Sequence, residues 1–528
     1  MTSILKSVLS MSAATTLSRI TGYLRTMVQA AALGTGAVAG AYTLSNALPT
    51  QIFELFVGGL LSSILVPLLV ERIARHGEED ARRFTNALLT LLLPFLGLVT
   101  VLGVAFAEPV ILLTTDWAGS GSLGQEAAAR RTELAVLLFR VFAFQILFYG
   151  AGALATGVLN AHRYFFLPTF APVLNNLVVI ASFAAYSLLA GRNPEAAVYT
   201  LAFGTTFGVA VMSLVLVPTA LRLGYRPGLR LGHPSLLPAA RLAAPVFAFI
   251  AATVAVQVVA NRLASRFDGV DELYYAFIIF LLPYGVFATS IATALVPDLA
   301  EKFTRRDTAG YRETLSFGLR ATTFIMVPAL VALAALSTPL VGLLYQRGAF
   351  GPEATATVAA VLAAFAGGLP GYALQLVLVR SFYARQNSLT PALLNIGLLV
   401  LFVGLAYPLS ARFGLPGVAL GFSGAYTLLA LALLLAMRRA LEGLDGKRLA
   451  GSLWKAVVAG AAMYAAARSG ISLTGTGDSV LERALILLGV GGTSFVAYLG
   501  VARLLKAEEL DLVTSLLSRR PGAGRGGA

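Results

Sequence analysis

Fourteen apolar stretches follow one another along this chain, separated mostly by short polar connections. A helix needs roughly 20 predominantly apolar residues to cross a bilayer, where its backbone polar groups can only be satisfied inside the segment. The stretches cover approximately residues 5–33, 37–70, 84–114, 131–159, 164–190, 195–221, 237–265, 273–301, 312–345, 353–383, 388–411, 415–438, 452–470 and 481–504. Only 12% of the 528 residues are charged, against about 25% in a soluble globular chain. The pattern predicts an all-α polytopic membrane protein with about 14 transmembrane helices. Several stretches are longer than a crossing requires, so their helices must tilt or protrude. The first stretch lacks a small-residue cleavage site and is expected to be a retained helix, not a signal peptide.

The formal net charge of +14 does not point to nucleic acid, because of where the charge lies. One set of alternate loops holds Arg72, Arg75, Arg82 and Arg83, then Arg163, then Arg222, Arg226 and Arg230. It continues with Lys302, Arg305, Arg306 and Arg312, then Arg385, then Arg438, Arg439, Lys447 and Arg448. The intervening loops are poor in basic residues, with Arg192, Arg266, Arg347, Arg412 and Arg468 as single examples. Basic loops stay on the cytoplasmic side, so both termini are expected there. The tail ending RRPGAGRGGA reads as a disordered end.

The chain has no cysteine, which excludes disulfides, cysteine-ligated zinc and thiol catalysis. Its three histidines (His76, His162 and His233) all fall in connections, which argues against a histidine metal centre. There is no phosphate-binding glycine loop, hydrolase serine motif or cofactor fingerprint. The expectation is a non-enzyme without a cofactor. It would draw its energy from a coupling ion of unknown identity, the membrane potential or the gradient of its own substrate.

Two pairs of segments echo each other. LVPLLVE (residues 65–71) ends the second stretch, and LVPDLAE (295–301) ends the eighth. LNAHRYFFLP (159–168) joins stretches four and five, and FYARQNSLTP (382–391) joins ten and eleven. The two offsets, 230 and 223 residues, each amount to six stretches. Six is even, so the halves share one orientation, as in parallel repeats related by an axis along the membrane normal. The expected organisation is an N-terminal six-helix half (1–230), a C-terminal six-helix half (231–445), two extra helices (446–505) and a basic cytoplasmic tail (506–528). Such duplication fits a transporter working by alternating access.

Charges inside the apolar stretches are few. Arg19 and Arg25 lie near the middle of the first one. A charge near the bilayer centre costs about 3 kcal/mol or more, and survives where it meets water, a counter-charge or an anionic ligand. Ser18 stands beside Arg19. Glu54 lies mid-stretch in the second segment, where it could pair with one of the arginines or carry a coupling proton. Gln51 is close to it in sequence. Asn175, Asn176, Gln257, Gln375 and Asn395 fit interhelical hydrogen bonding better than ligand contact.

Seven segments together resemble one known family: SRITGYLR (18–25), GGLLSSILVPLL (58–69), GVLNAHRYFFLPTFAPVLNN (157–176), LPYGVFATSIATALVPDL (282–299), YQRGAF (345–350), FYARQNSLTP (382–391) with ALLN (392–395), and GLPGVALGFS (414–423). They are similar, in order, to the MurJ/MviN family of the MOP exporter superfamily, which also holds the MATE exporters. The resemblance covers residues 1–505. It implies a MATE/MOP-like fold in the bacterial cytoplasmic (inner) membrane. It also implies a flippase for lipid II, the undecaprenyl-pyrophosphate-linked peptidoglycan precursor. By the same resemblance Ser18, Arg19 and Arg25 would meet the pyrophosphate, and cell-wall synthesis or division proteins would be partners alongside membrane lipids. The chain departs from the family pattern at Thr26 and Gly40, where acids are usual, at Phe53 and Glu54, where a helix-two arginine is usual, and at Ile278, where another arginine is usual. A flippase for another polyprenyl-linked glycan, a non-transporting cell-wall scaffold and a cation or drug exporter are the competing readings. The exporter would want acids in its cavity, and Glu54 is the one that qualifies.

Overall fold

The computed structural model describes residues 2–58, 66–120, 123–226 and 236–510; Arg230 and the basic tail beyond Leu510 lie outside them. Within the described residues the chain is helical from end to end. The first ten helices are α1 (Thr2–Leu33), α2 (Ala37–Phe53), α3 (Val66–Ala105), α4 (Ala107–Thr114), α5 (Gln125–Phe142), α6 (Gln145–Ala161), α7 (Phe166–Leu189), α8 (Pro194–Leu214), α9 (Val217–Arg222) and α10 (Leu236–Ser265). Then follow α11 (Val270–Pro283), α12 (Thr289–Thr304), α13 (Thr308–Ala335), α14 (Ser337–Tyr345), α15 (Pro352–Ala366) and α16 (Leu369–Ala384). The last four are α17 (Leu389–Phe413), α18 (Leu415–Ala440), α19 (Gly446–Thr474) and α20 (Val480–Leu504).

Each of the fourteen expected stretches is helical where it is described. Among the described residues, 11 helices are long and apolar enough to cross a membrane, or 12 if the bent pair α15–α16 is one span. The two expected spans outside this set are α1 and α2. α1 is diluted by Arg19, Arg25 and Gln29, and α2 is only 17 residues long before a π-helical turn continues it.

The basic connection between the second and third stretches is not a loop. It is helical on both sides of Gly77, whose φ of 82° breaks the long α3. Charge pairs one turn apart support this polar helix: Arg75–Glu71 at 2.9 Å, Arg82–Glu78 at 2.7 Å and Arg83–Glu79. Such pairs contribute about 0.2–0.5 kcal/mol each to a solvated helix.

The sequence echo has a structural counterpart. Among the described residues two π-helical turns occur, at Glu54–Gly58 and at Tyr284–Ala288, and their first residues are 230 positions apart. Arg163 and Gln386, 223 positions apart, both adopt left-handed backbone conformations, with φ of 62° and 57°. The offsets are those of the two echoes. A π-turn inside a helix is rare and often marks a functional position.

The chain forms two compact units. One comprises Met1–Tyr274 with Tyr345–Ala354, and the other Tyr275–Leu344 with Thr355–Ala528. In the first unit, Leu69, Phe84, Leu96, Ile146, Leu154 and Leu159 form a core shared by α3 and α6. Tyr42 of α2 packs edge-on against Phe142 and Phe183, at 5.6 and 5.3 Å between ring centres. In the second unit, Phe280, Phe365, Tyr372, Phe422 and Tyr426 make an aromatic cluster joining α11, α15, α16 and α18. The extra pair α19 and α20 packs on α13 of the same unit, through Phe324, Val327, Val331, Ala459, Met463 and Tyr498. Tyr498 seals this seam by donating its hydroxyl proton to the carbonyl of Phe324 at 2.8 Å. At the other end of α20 the buried Arg483 donates to the carbonyls of Gly342 and Gly477.

Candidate functional site

α1 carries the intramembrane arginines. Six residues on an α-helix amount to about 9 Å of rise and about 120° of angular separation. Arg19 and Arg25 therefore point in different directions from the same helix. Arg19 is exposed and Arg25 half-buried. α7 runs along α1 and fixes it through one amide. Asn176 donates Nδ2–H bonds to the carbonyl of Ser18 at 3.3 Å and to Thr21 Oγ1 at 3.0 Å. Asn176 is thus interhelical glue that pins the backbone beside Arg19. Ser18 enters this contact through its carbonyl.

Arg25 faces α2 and α6. Tyr42 of α2 and Tyr149 of α6 both lie within its electrostatic reach. Tyr42 Oη and Thr205 Oγ1 are 3.2 Å apart. Tyr149 is hydrogen-bonded to the side chain of Thr50, and its ring packs on Phe53 at 5.7 Å. One turn beyond Thr26, Gln29 donates to Thr43 Oγ1 at 3.2 Å. The local chemistry is a guanidinium among phenol and hydroxyl groups, all of which can donate to anionic oxygens.

Glu54 opens the π-turn that extends α2 and is exposed. Tyr149 lies within electrostatic reach of Glu54 as well as Arg25. The fold thus brings Arg25 and Glu54 to one tyrosine. Among the described residues no ion pair joins Glu54 to Arg19 or Arg25. Gln51, one turn earlier, is buried and its Oε1 accepts no hydrogen bond.

A second polar cluster stands at the far end of α1 and was not singled out from the sequence. Asp271 is fully buried and accepts a hydrogen bond from the backbone N–H of Gly36 at 3.2 Å. A Cβ at Gly40 would lie 3.4 Å from Asp271 Oδ1. The carboxylate of α11 therefore lies beside the space that a side chain at position 40 would enter. Arg131 of α5, also buried, pairs with Asp268 and is attracted by Asp271 and Glu272. Arg266 pairs with Asp116 at 2.7 Å, and Arg262 donates to three carbonyls at 112, 113 and 115. The adjacent acids Asp271 and Glu272 were the available signal, but they precede the apolar run and read as loop.

Comparison with known proteins agrees with this architecture. The model of the family described as lipid II flippase MurJ matches residues 29–485. A probable lipid II flippase MurJ of Rhizobium meliloti (strain 1021) is 31% identical over 424 residues, covering 79% of this chain and 77% of that protein. A probable lipid II flippase MurJ of Vibrio cholerae is 28% identical over 528 residues, covering 96% and 97%. Among solved structures, a lipid II flippase MurJ in an inward closed conformation superposes with a TM-score of 0.76 at 23% identity, covering 95% of this chain and 99% of that one. An inward-facing multidrug resistance MATE transporter of the MOP superfamily gives a TM-score of 0.65 at 17% identity, covering 83% and 98%. This chain is a multi-pass membrane protein that belongs to the lipid II flippase MurJ family.

Proposed function

We propose that this chain moves lipid II across the cytoplasmic membrane by alternating access, with Arg19 and Arg25 receiving the pyrophosphate. The observation that carries the reading is Arg25: a guanidinium held half-buried in a bilayer-spanning unit, among hydroxyl donors. Guanidinium forks match phosphate oxygens, and low dielectric strengthens the contact. Asp271, beside Gly40, supplies from α11 a carboxylate near a position where the family usually carries one. Glu54 shares the neighbourhood of Tyr149 with Arg25 without pairing to it among the described residues. Both termini lie in the cytoplasm, following the distribution of loop arginines.

The test is replacement of an essential MurJ in a depletion strain. Growth with normal shape supports lipid II as substrate. Failure to rescue by a chain that is expressed and inserted overturns it, and favours another polyprenyl-linked glycan or a scaffold.

A further inference from the structure

The extra helices α19 and α20 carry a polar cavity that is separate from the α1 arginines. It encloses about 260 Å³. Four cationic side chains line it: Arg320 from α13, and Lys447, Arg448 and Lys455 from the first turns of α19. Two carboxylates oppose them, Glu508 and Glu509, which follow α20. Arg320 satisfies both acids, at 2.8 and 3.0 Å. Lys455 donates to the carbonyl of Lys506 at 2.9 Å. Among the described residues Arg448 has an exposed pair with Asp445 at 3.7 Å. Four cations against two acids leave the lining with a surplus of positive charge.

Two further features point to an anionic ligand. Ser452, 6% exposed, lines the cavity, and its buried Oγ has no hydrogen-bond partner among the described residues. A buried hydroxyl without a partner carries a desolvation cost that an acceptor oxygen would remove. The cavity also sits at the N-terminal end of a 29-residue helix, whose N-cap Asp445 makes no side-chain cap bond. That end carries the positive pole of the helix dipole. Beside it, a Cβ at Gly451 would meet nothing within 4 Å, so there is room for close approach.

The exposed apolar side chains beside it point to the source of the anion. Trp454 and Leu453 lie on the same turns and are 56% and 51% exposed. An outward tryptophan at the end of a spanning helix sits at headgroup level. Basic pockets between helices at that level suit lipid phosphates. We propose that this cavity binds the phosphate of an anionic phospholipid, with Ser452 Oγ, Lys447, Arg448 and Lys455 as donors. The extra helix pair would then anchor the second unit to the anionic leaflet.

The test uses the full chain in mild detergent, titrated with short-chain phosphatidylglycerol, short-chain phosphatidylcholine and inorganic phosphate, with bound lipid read by native mass spectrometry. Saturable binding of phosphatidylglycerol alone is expected. The Lys447→Gln/Lys455→Gln variant should weaken it about tenfold or more, and Ser452→Ala about threefold. Ser452→Ala removes one atom and keeps the fold, so it stays informative if the double variant does not fold. Arg19→Ala should leave this binding unchanged, which separates the cavity from the pyrophosphate site. Equal binding of phosphatidylcholine, equal competition by inorganic phosphate, or wild-type affinity in Ser452→Ala would each overturn the proposal.

Discussion

Ala349 donates its backbone N–H to the carbonyl of Ala31 at 2.9 Å, tying the segment between α14 and α15 to the last turn of α1. Gly348 and Gly34 flank this bond, with φ of 59° and 61°. A Cβ on either would overlap the other segment's backbone, at the carbonyl of Ala31 for Gly348 and of Ala349 for Gly34. Gly34→Ala and Gly348→Ala should each cost about 1–3 kcal/mol through strain and lost contact. Thermal unfolding in detergent measures this. Gly351→Ala, in open space on the same segment, should leave the midpoint unchanged.

Arg25→Ala should abolish flipping while expression and insertion persist, and Arg19→Ala should do the same if both contact the pyrophosphate. Arg25→Lys should rescue poorly, because an ammonium lacks the planar fork. Complementation of a depletion strain, with membrane levels followed by blotting, provides the readout. Full activity of the double alanine variant would remove both residues from the site.

Glu54→Gln should leave thermal stability within about 0.5 kcal/mol, since Glu54 is exposed and makes no ion pair among the described residues. Its effect belongs to transport. Removing one negative charge from the neighbourhood of Arg25 changes the charge that moves in the membrane field, worth about 2.3 kcal/mol per charge per 100 mV. Flipping in vesicles under an imposed potential should therefore change its voltage dependence. A rate indifferent to potential in both proteins would refute this coupling.

Asp271 and Gly40 should behave as a pair. Gly40→Asp would bring a second carboxylate against Asp271 Oδ1 and should destabilise the protein. Adding Asp271→Ala should relieve part of that loss by returning one carboxylate to one space. Residues in contact couple by about 0.5–3 kcal/mol, and a double-mutant cycle on unfolding temperature reads the coupling directly. Simple additivity would mean that the two positions do not share a space.

Much of the architecture is written in the chain's periodicity. Where they are described, the fourteen apolar stretches are helical, because a bilayer leaves the backbone few other options. The echoes at 65–71 and 295–301 anticipated a repeat, and the π-turns opened by Glu54 and Tyr284 carry the same offset in three dimensions. The basic connection around Gly77 was misread as a loop. Its apolar pattern is absent, and charge pairs one turn apart support its helix. The arginines of α1 were legible because a charge in an apolar run is costly wherever the helix lies.

What the sequence determined by itself is the helical membrane fold and the family. Tertiary structure decided which polar groups meet. Asp271 and Gly36 are 235 residues apart, yet one carboxylate holds the other's N–H. Tyr149 stands in the fields of both Arg25 and Glu54, and Asn176 pins α1 through the carbonyl of Ser18. Helical periodicity sets the face on which a residue lies, but not which neighbouring helix covers that face. That choice depends on side-chain packing between distant segments, where a few ångströms decide whether a hydrogen bond forms.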